Sequence, residues 1–337
     1  MKQIKESRAA GDQPDKNGIL FSFSFDGQGG GKALSGDDIS QTLKAKKLGW
    51  VHMDAGAAGT RGWLEREVSY LDHLIIDALL AEETRPRILV FEKGVLLILR
   101  GVNLNEQADP SDMVSVRIWA DDERIITLRR RRLSSIQDIK EKLEHGEGPK
   151  NAADFLSALC TRLFERMEPV LQQLDEETDL IEEDVLDEPD TDLREKIIAI
   201  RKQAISLRRY IAPQKDVLSQ VKSSELEWLD MINRRRLQES FDRVVRYTED
   251  LDAIRERAQI VKDELANALS DKLNRNMYVL SVVAAVFLPL GFLTGLLGIN
   301  VGGIPGTDNP QAFWIFSAIL IAVVLLQVLI FKKLKWF

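Results

Sequence analysis

The chain has very few of the residues that build disulfides and soft metal sites. Its 337 residues include one cysteine, Cys160, and three histidines, His52, His73 and His145. A single cysteine excludes an intramolecular disulfide, and the spacings contain no CxxC, HExxH or zinc-finger pattern. No high-affinity metal site and no cofactor are therefore predicted. The polar N-terminus also lacks the apolar core of a secretory signal.

The chain also lacks an excess of positive charge and a phosphate-binding loop. Its formal net charge of −7 argues against nucleic acid as a partner. The glycine-rich stretch from Gly27 to Lys32 fails as a Walker motif, because Asp26 stands where a glycine is needed and Ala33 follows the lysine. We interpret it as a flexible loop. With no nucleophile–base pairing either, the sequence does not favour an enzyme.

Charge is missing altogether from two long apolar runs near the C-terminus. No charged side chain occurs from Met277 to Ile299 or from Phe313 to Phe331. A helix rises about 1.5 Å per residue, so each run can cross a hydrocarbon core of about 30 Å. We predict transmembrane helices over 277–299 and 313–331, an external loop over 300–312 and a basic tail over 332–337. Lysines and arginines flank the spans but not the loop, which places both termini in the cytoplasm.

The N-terminal half has the alternation expected of β-strands. Residues 1–16 are polar and are predicted to be disordered, and 17–150 to form a cytoplasmic α/β domain with a mixed sheet. Predicted strands are Ile19–Phe25, Trp50–Met53, Ile88–Phe91, Val95–Leu99, Val114–Ala120 and Arg124–Leu128, with one helix over Arg61–Ala81. The arginine run Arg129–Arg132 is interpreted as a solvated strand edge or as an anion site.

Residues 151–276 are predicted to be helical. One helix covers 152–186, and a second covers Thr191–Tyr210. Between Pro213 and Pro289 there is no glycine or proline, which predicts one long amphipathic stalk helix entering the membrane. The junction of the first two helices is acidic, and its charges either coat a solvated face or attract cations. The acidic residues are Asp175, Glu176, Glu177, Asp179, Glu182, Glu183, Asp184 and Asp187, followed by Glu188, Asp190 and Asp192.

The first apolar run ends in Gly298-Ile299-Asn300, which resembles the Gly-Met-Asn signature of the CorA family of divalent-cation transporters. Asn274 and Met277 at the entrance of the run, and Pro289 inside it, are similar to that family's pore helix. The tail from Lys332 to Phe337 resembles the family's basic, aromatic end. The resemblance implies a homopentamer in a bacterial inner membrane, shaped as a cytoplasmic funnel above a membrane bundle.

The resemblance also implies which residues line the pore. Asn274 and Asn300 would offer amide oxygens to a hydrated ion, and Met277 and Leu288 would form apolar rings that gate by excluding water. The pore face continues in steps of three or four residues from Asn274, and Gly291 and Gly295 lie on it, although close helix packing is their simpler interpretation. The full set is Asn274, Met277, Ser281, Ala284, Leu288, Gly291, Gly295, Gly298, Ile299 and Asn300.

The transported ion is predicted from the loop after the tripeptide. The loop has no carboxylate before Asp308, whereas the magnesium branch of the family carries one early in its loop. The sequence resembles the zinc-transporting ZntB branch, which is associated with zinc movement linked to the proton gradient. We predict transport of zinc, with magnesium, cobalt, nickel and cadmium as alternative ions. A magnesium or cobalt channel, or a membrane-anchored scaffold, remains open.

Overall fold

The fold is described from a computed structural model, for residues 13–45, 47–82, 84–298, 306 and 309–333. It consists of two compact units, one of the described residues up to 188 together with 192–262, the other of 189–191 and the described residues from 263 onward. The predicted disorder over 1–16 falls mostly outside the described residues. Within them, Asp15 accepts hydrogen bonds from the backbone amides of Asn17 and Ile19, which fixes the turn before the first strand.

A seven-stranded mixed sheet organises the first unit, as predicted. The strands are β1 (Ile19–Phe25), β2 (Gly31–Ala33), β3 (Gly49–Asp54), β4 (Arg87–Val90), β5 (Gly94–Gly101), β6 (Val114–Asp121) and β7 (Arg124–Arg129). Their order is β2-β1-β3-β7-β6-β5-β4, and only β3 and β7 pair in parallel. Because β7 lies inside the sheet, the interpretation of Arg129–Arg132 as a strand edge is wrong.

Helices cover both faces of the sheet. They are α1 (Asp37–Lys44), α2 (Thr60–Glu67), α3 (His73–Leu80), α4 (Ser134–Glu144) and α5 (Ala152–Glu165). On one face, Trp63, Leu64, Ile76 and Leu79 of α2 and α3 pack with sheet residues such as Ile126 in one buried cluster. On the other face, Phe155 of α5 contacts Trp50 of β3, with ring centroids 4.8 Å apart.

The single helix predicted over 61–81 is wrong, because α2 and α3 are separate. Val68 leaves helical geometry at φ −119°, and the side chain of Asp72 caps the start of α3 by accepting from the amide of Leu74. The apolar pattern runs through the break because Val68 and Leu71, in the connection, are themselves buried. Buried residues in the connection therefore continue the apolar spacing of the helices, so the sequence pattern shows no break.

The helix predicted over 152–186 is also divided, into α5 and α6 (Glu168–Asp187), with the fully buried Met167 between them. Pro169 in the first turn of α6 is a start signal, because a proline there costs no hydrogen bond. The next helix, α7, covers Leu193–Ser223 and passes through Pro213, so the predicted end at Tyr210 is wrong. The adjacent Gln214 is buried and accepts a hydrogen bond from the amide of Arg100, which holds α7 on β5.

The last two helices are α8 (Met231–Leu297) and α9 (Ala312–Lys333). The long stalk helix predicted from the absence of glycine and proline is observed as α8. Within the first unit its apolar residues are buried at steps of seven, three and four residues, which keep them on one face: Leu237, Val244, Leu251, Ile254, Ala258 and Val261.

Candidate ion-conduction site

Two helices of the second unit are long and apolar enough to cross a bilayer, and the apolar stretches concerned are not buried within the chain. Large side chains such as Phe287, Leu288, Phe292 and Trp314 are each more than two-thirds exposed. An exposed apolar surface of this extent requires lipid or other protein around it. Gly298, just beyond the end of α8, is described, whereas Ile299 and Asn300 lie outside the described residues.

The predicted pore residues from Asn274 to Gly295 lie at helical steps along α8, so they share one face of that helix. Met277 and Leu288 are exposed in the single chain. Residues that face a pore lumen or another subunit are expected to be exposed when only one chain is present. The hydroxyl of Ser281 donates to the carbonyl of Met277 at 2.7 Å and is therefore engaged by its own helix. The roles predicted for these residues stay predictions.

Gly298 occupies a position that a side chain would crowd. A Cβ atom there would lie 2.8 Å from the carbonyl oxygen of Thr294, closer than such atoms approach in proteins. The amide of Gly298 donates to the carbonyl of Gly295 at 3.2 Å, which closes the last turn of α8. The first residue of the tripeptide therefore has a steric reason to be glycine.

Gly291 and Gly295, unlike Gly298, have space for a side chain. A Cβ atom at either position would meet nothing within 4 Å in the described residues. Close packing of these two glycines against α9 of the same chain is therefore not observed. The packing predicted for them can only involve residues that the structure does not describe or other copies of the chain.

Pro289 frees a backbone acceptor, and α9 supplies its donor. Proline has no amide hydrogen, so the carbonyl of Ala285 loses its helical partner. The side-chain amide of Gln327 donates to that carbonyl at 3.3 Å. This contact satisfies the acceptor that Pro289 leaves without a helical donor. The sequence signal for its partner was Gln327 itself, the one amide side chain between Phe313 and Phe331.

We expect Gln327→Met to lower the free energy of unfolding by about 1 kcal/mol in mixed micelles, because the carbonyl of Ala285 loses its donor. In a Pro289→Ala background the new amide at 289 restores the helical hydrogen bond to Ala285. Gln327→Met should then leave the free energy of unfolding almost unchanged. SDS titration of the four proteins measures this double-mutant cycle. An equal loss in both backgrounds would show that Gln327 stabilises the helices in another way.

The acidic residues on α6 are partly neutralised by one arginine. Nη1 of Arg257 on α8 lies 3.1 Å from Asp175, while Nη2 lies 2.9 Å from Glu182 and also binds Asp179. Hydrogen bonds to Glu182 and Asp179 raise the pKa of Arg257 above its ordinary value. Sequence periodicity does not reveal this contact, since the residues are more than 70 positions apart.

The other acidic residues of α6 have fewer partners. Glu177 accepts a hydrogen bond from Gln173 at 2.8 Å. Glu176, Glu183, Asp184 and Asp187 are exposed and form no ion pair within the described part of the chain. The predicted electrostatic attraction of cations therefore depends on these four residues more than on the three bound by Arg257.

The few soft ligands of the chain are poorly placed to hold zinc. Cys160 is fully buried, and burial raises the pKa of its thiol to about 12, which keeps it protonated. His52 is also buried, and desolvation together with Arg129 lowers its pKa well below the ordinary value. In the described ranges no three side chains of His, Cys, Asp or Glu converge to form a metal site.

The arginine run after β7 makes contacts within the chain. Arg129 is buried, and Arg130 donates to the carbonyl of Leu80 at 3.2 Å, near the C-terminus of α3. Arg131 contacts a carboxylate oxygen of Asp112 at 2.5 Å, and this lowers the pKa of Asp112. Cations near a helix C-terminus satisfy its free carbonyls, which gives Arg130 a structural role.

Comparison with known proteins places these features in a family. A family model described as "CorA-like Mg2+ transporter protein" matches residues 45–333. The divalent cation transporter CmaX of Pseudomonas aeruginosa is 37% identical over 329 residues, covering 96% of this chain and 98% of that protein. The zinc transport protein ZntB of Pectobacterium atrosepticum is 35% identical over 327 residues, covering 97% of this chain and 98% of that protein.

Solved structures show the same architecture. The structure of full-length CmaX matches with a TM-score of 0.82 at 36% identity, covering 96% of this chain and all of that one. The CorA magnesium transporter of Methanocaldococcus jannaschii matches with a TM-score of 0.74 at 19% identity, covering 94% and 98%, and it supports the fold alone. The predicted α/β domain, long helix and two C-terminal apolar helices are thereby confirmed. Since the family model and the relatives span nearly the whole chain, the protein belongs to the CorA-like family of divalent-cation transporters.

Proposed function

We propose that the protein transports zinc, and with it neighbouring divalent transition metals, through a pore made by several copies of α8. The observation that carries this proposal is the uncharged run at the end of α8, which the tripeptide Gly298-Ile299-Asn300 follows in the sequence, together with the second apolar helix α9. Its zinc-transporting relatives of 34–35% identity support the choice of ion. Two spans cannot enclose a hydrated path, so the pore requires an oligomer, and the family resemblance makes it a homopentamer.

In this proposal both termini of the chain face the cytoplasm of a bacterium and the spans cross its inner membrane. Neither run, 277–299 or 313–331, contains Asp, Glu, His, Cys, Lys or Arg. The ion therefore passes largely hydrated, in contact with the amides of Asn274 and Asn300 and with backbone oxygens. Any proton that accompanies zinc binds outside the membrane, because the spans offer no side chain that titrates near neutral pH.

Transport, and not anchoring or catalysis, is the activity that these features support. A membrane anchor needs neither the asparagine at 274 nor the tripeptide, and the relatives are transporters. The test is zinc entry into proteoliposomes that contain the purified protein and a trapped zinc indicator. Entry well above that of protein-free liposomes supports the proposal. A protein that assembles, inserts and passes no metal would instead be an anchor.

The acidic segment of α6 should accelerate zinc uptake at low ionic strength. Replacing three unpaired carboxylates, by Glu176→Gln, Glu183→Gln and Asp187→Asn, should slow uptake roughly two- to fivefold. Arg257→Gln should have the opposite effect, because it frees the charge of the carboxylates that the arginine holds. Both effects should shrink at higher salt, where the screening length falls to about 8 Å. Effects independent of salt would support a merely solvated helix face.

A further inference from the structure

A cavity of about 840 Å³ lies in the first unit, at the end of the sheet where two hairpin turns meet. Gly94 pairs with Asp121 across β5 and β6, so the β4–β5 and β6–β7 turns lie side by side. The connection between α2 and α3 and the segment before α8 complete the lining. The volume is in the range of small-molecule sites.

The lining of the cavity is strongly acidic. Its two basic residues are Lys93 and Arg124. Arg124 is already engaged, since it donates to the carbonyl of Leu43 at 2.9 Å and to Glu123 at 3.1 Å, and it lies 4.2 Å above the ring of Tyr70. The acidic side chains in the lining number six: Asp72, Glu92, Asp121, Asp122, Glu123 and Glu227. The cavity therefore has an excess of negative charge that the chain does not neutralise.

Four aromatic side chains share the lining: Tyr70, Phe91, Trp119 and Trp228. The indole of Trp119 donates to the buried carboxylate of Asp121 at 3.2 Å, and the indole of Trp228 donates to the carbonyl of Lys93 at 3.1 Å. Phe91 packs on Trp119 with centroids 5.5 Å apart. The indole N–H groups are thus satisfied within the protein, and the rings are held as rigid apolar walls.

This combination does not suit a metal ion. No three carboxylates converge within the described residues, whereas a hard cation such as magnesium requires several oxygens around one point. Aromatic rings contribute no metal ligand, but they attract organic cations through their faces and accommodate methylene groups. Separated carboxylates and aromatic walls fit a molecule whose positive charges are spaced along an apolar stem.

We propose that this cavity binds an aliphatic di- or polyamine. The ammonium groups would pair with exposed carboxylates such as Glu92, Asp122 and Glu227, and the methylene stem would lie against Phe91 and Trp228. The site is distinct from the membrane helices, because all of its lining residues belong to the first unit. It is also independent of the proposed transport of zinc, since binding of the amine can be measured without metal flux.

The test is isothermal titration of the full-length protein, in neutral detergent and at low ionic strength, with spermidine as the probe. We expect saturable binding with a Kd below about 1 mM. The variant Glu92→Gln/Asp122→Asn/Glu227→Gln, whose changes are exposed, should bind at least roughly tenfold more weakly. Phe91→Leu keeps an apolar side chain without a ring and should weaken binding about threefold. Glu106→Gln, an exposed acid outside the cavity, is the matched control and should change nothing.

Several results would overturn the assignment. One is the absence of saturable heat with spermidine, and another is equal affinity in the triple variant and the Glu106→Gln control. Equal binding of 1,8-octanediol would show that the cavity recognises only the apolar stem. Displacement of spermidine by stoichiometric zinc chloride would mean that the carboxylates form a metal site. Loss of zinc transport with retained spermidine binding would bear on the proposed function alone.

Discussion

Replacing Asn300 by alanine should abolish zinc uptake into proteoliposomes without dissociating the oligomer. The change removes one amide per subunit from the proposed outer mouth of the pore, where it would meet the hydration shell of the ion. Each amide–water hydrogen bond contributes about 0.5–1.5 kcal/mol. Since every subunit loses one, the combined effect should be roughly two orders of magnitude or more in rate.

The control for Asn300→Ala is Asn309→Ser, an amide removed just before α9. Asn309 accepts a hydrogen bond from the amide of Gln311, and serine keeps an oxygen for that role. This variant should transport zinc at close to the wild-type rate. Uptake by Asn300→Ala at the wild-type rate, in an oligomer of unchanged mass, would remove the tripeptide amide from the mechanism.

Gly298→Ala should lower zinc uptake about tenfold, whereas the free energy of unfolding should change little, because the end of α8 can shift to relieve the crowding. The added Cβ would lie 2.8 Å from the carbonyl oxygen of Thr294, which belongs to the backbone and cannot swing away. Crowding of this kind costs about 1–3 kcal/mol unless the structure shifts. The end of α8 has to move to relieve it, and the two residues that follow move as well.

The matched control for Gly298→Ala is Gly303→Ala, which adds the same methyl group to the predicted external loop beyond the tripeptide. Zinc uptake and thermal stability are measured on both variants in the same lipid. If Gly298→Ala transports like Gly303→Ala, the glycine of the tripeptide serves only to end the helix. A large loss of stability in Gly298→Ala would likewise contradict a specific effect on the pore.

The membrane helices and most strands could be predicted from the sequence because each depends on a local property. An uncharged run of sufficient length predicts a span whatever its neighbours are. Alternation over Ile19–Phe25 predicted β1 with its observed bounds, and the pattern of β6 was similarly clear. The strand β2 has three residues, too few to show an alternation, and was not predicted. Helices α1 and α4 were not predicted either, although Ile39 and Leu43, and Ile136, Ile139 and Leu143, follow helical spacing.

The errors in the helical region arise where tertiary contacts override local signals. Met167 divides α5 from α6, yet it is fully buried and therefore continues the apolar pattern. Pro213 is tolerated inside α7, where the neighbouring Gln214 binds the backbone of β5. A proline predicts a boundary only on average, and packing decides the individual case.

The arrangement of the candidate residues along α8 follows from the sequence, whereas contacts between helices do not. Steps of three and four residues place Asn274, Met277 and Leu288 on one face of α8. The contact of Gln327 with Ala285 and that of Arg257 with α6 join residues far apart in the sequence. The sequence signal for the first contact was Gln327, an isolated amide in an apolar run. The signal for the second was the acidic stretch of α6, which has no basic residue next to it in the sequence. The cavity beside Trp228 gave no sequence signal, because its lining comes from four separate segments.

The selectivity among divalent cations should follow from the ligands that the proposed conduction path lacks. Before Asp308 the loop that we predict to be external has no carboxylate to attract a strongly hydrated ion such as magnesium. Zinc prefers nitrogen and sulfur ligands, and within the uncharged runs the path offers only the thioether of Met277. We therefore expect low-affinity transport of zinc together with cobalt, nickel and cadmium, with discrimination well short of a soft-ligand site.

The most direct test of zinc transport by this protein is the flux of zinc and of magnesium into proteoliposomes, each with and without an imposed pH gradient. Zinc should enter faster than magnesium, and its flux should rise when protons can move with it. Since the spans hold no residue that titrates near neutral pH, this dependence should survive neutral substitutions within them. Rapid magnesium flux that is insensitive to the pH gradient would contradict the account and would make the protein a magnesium channel.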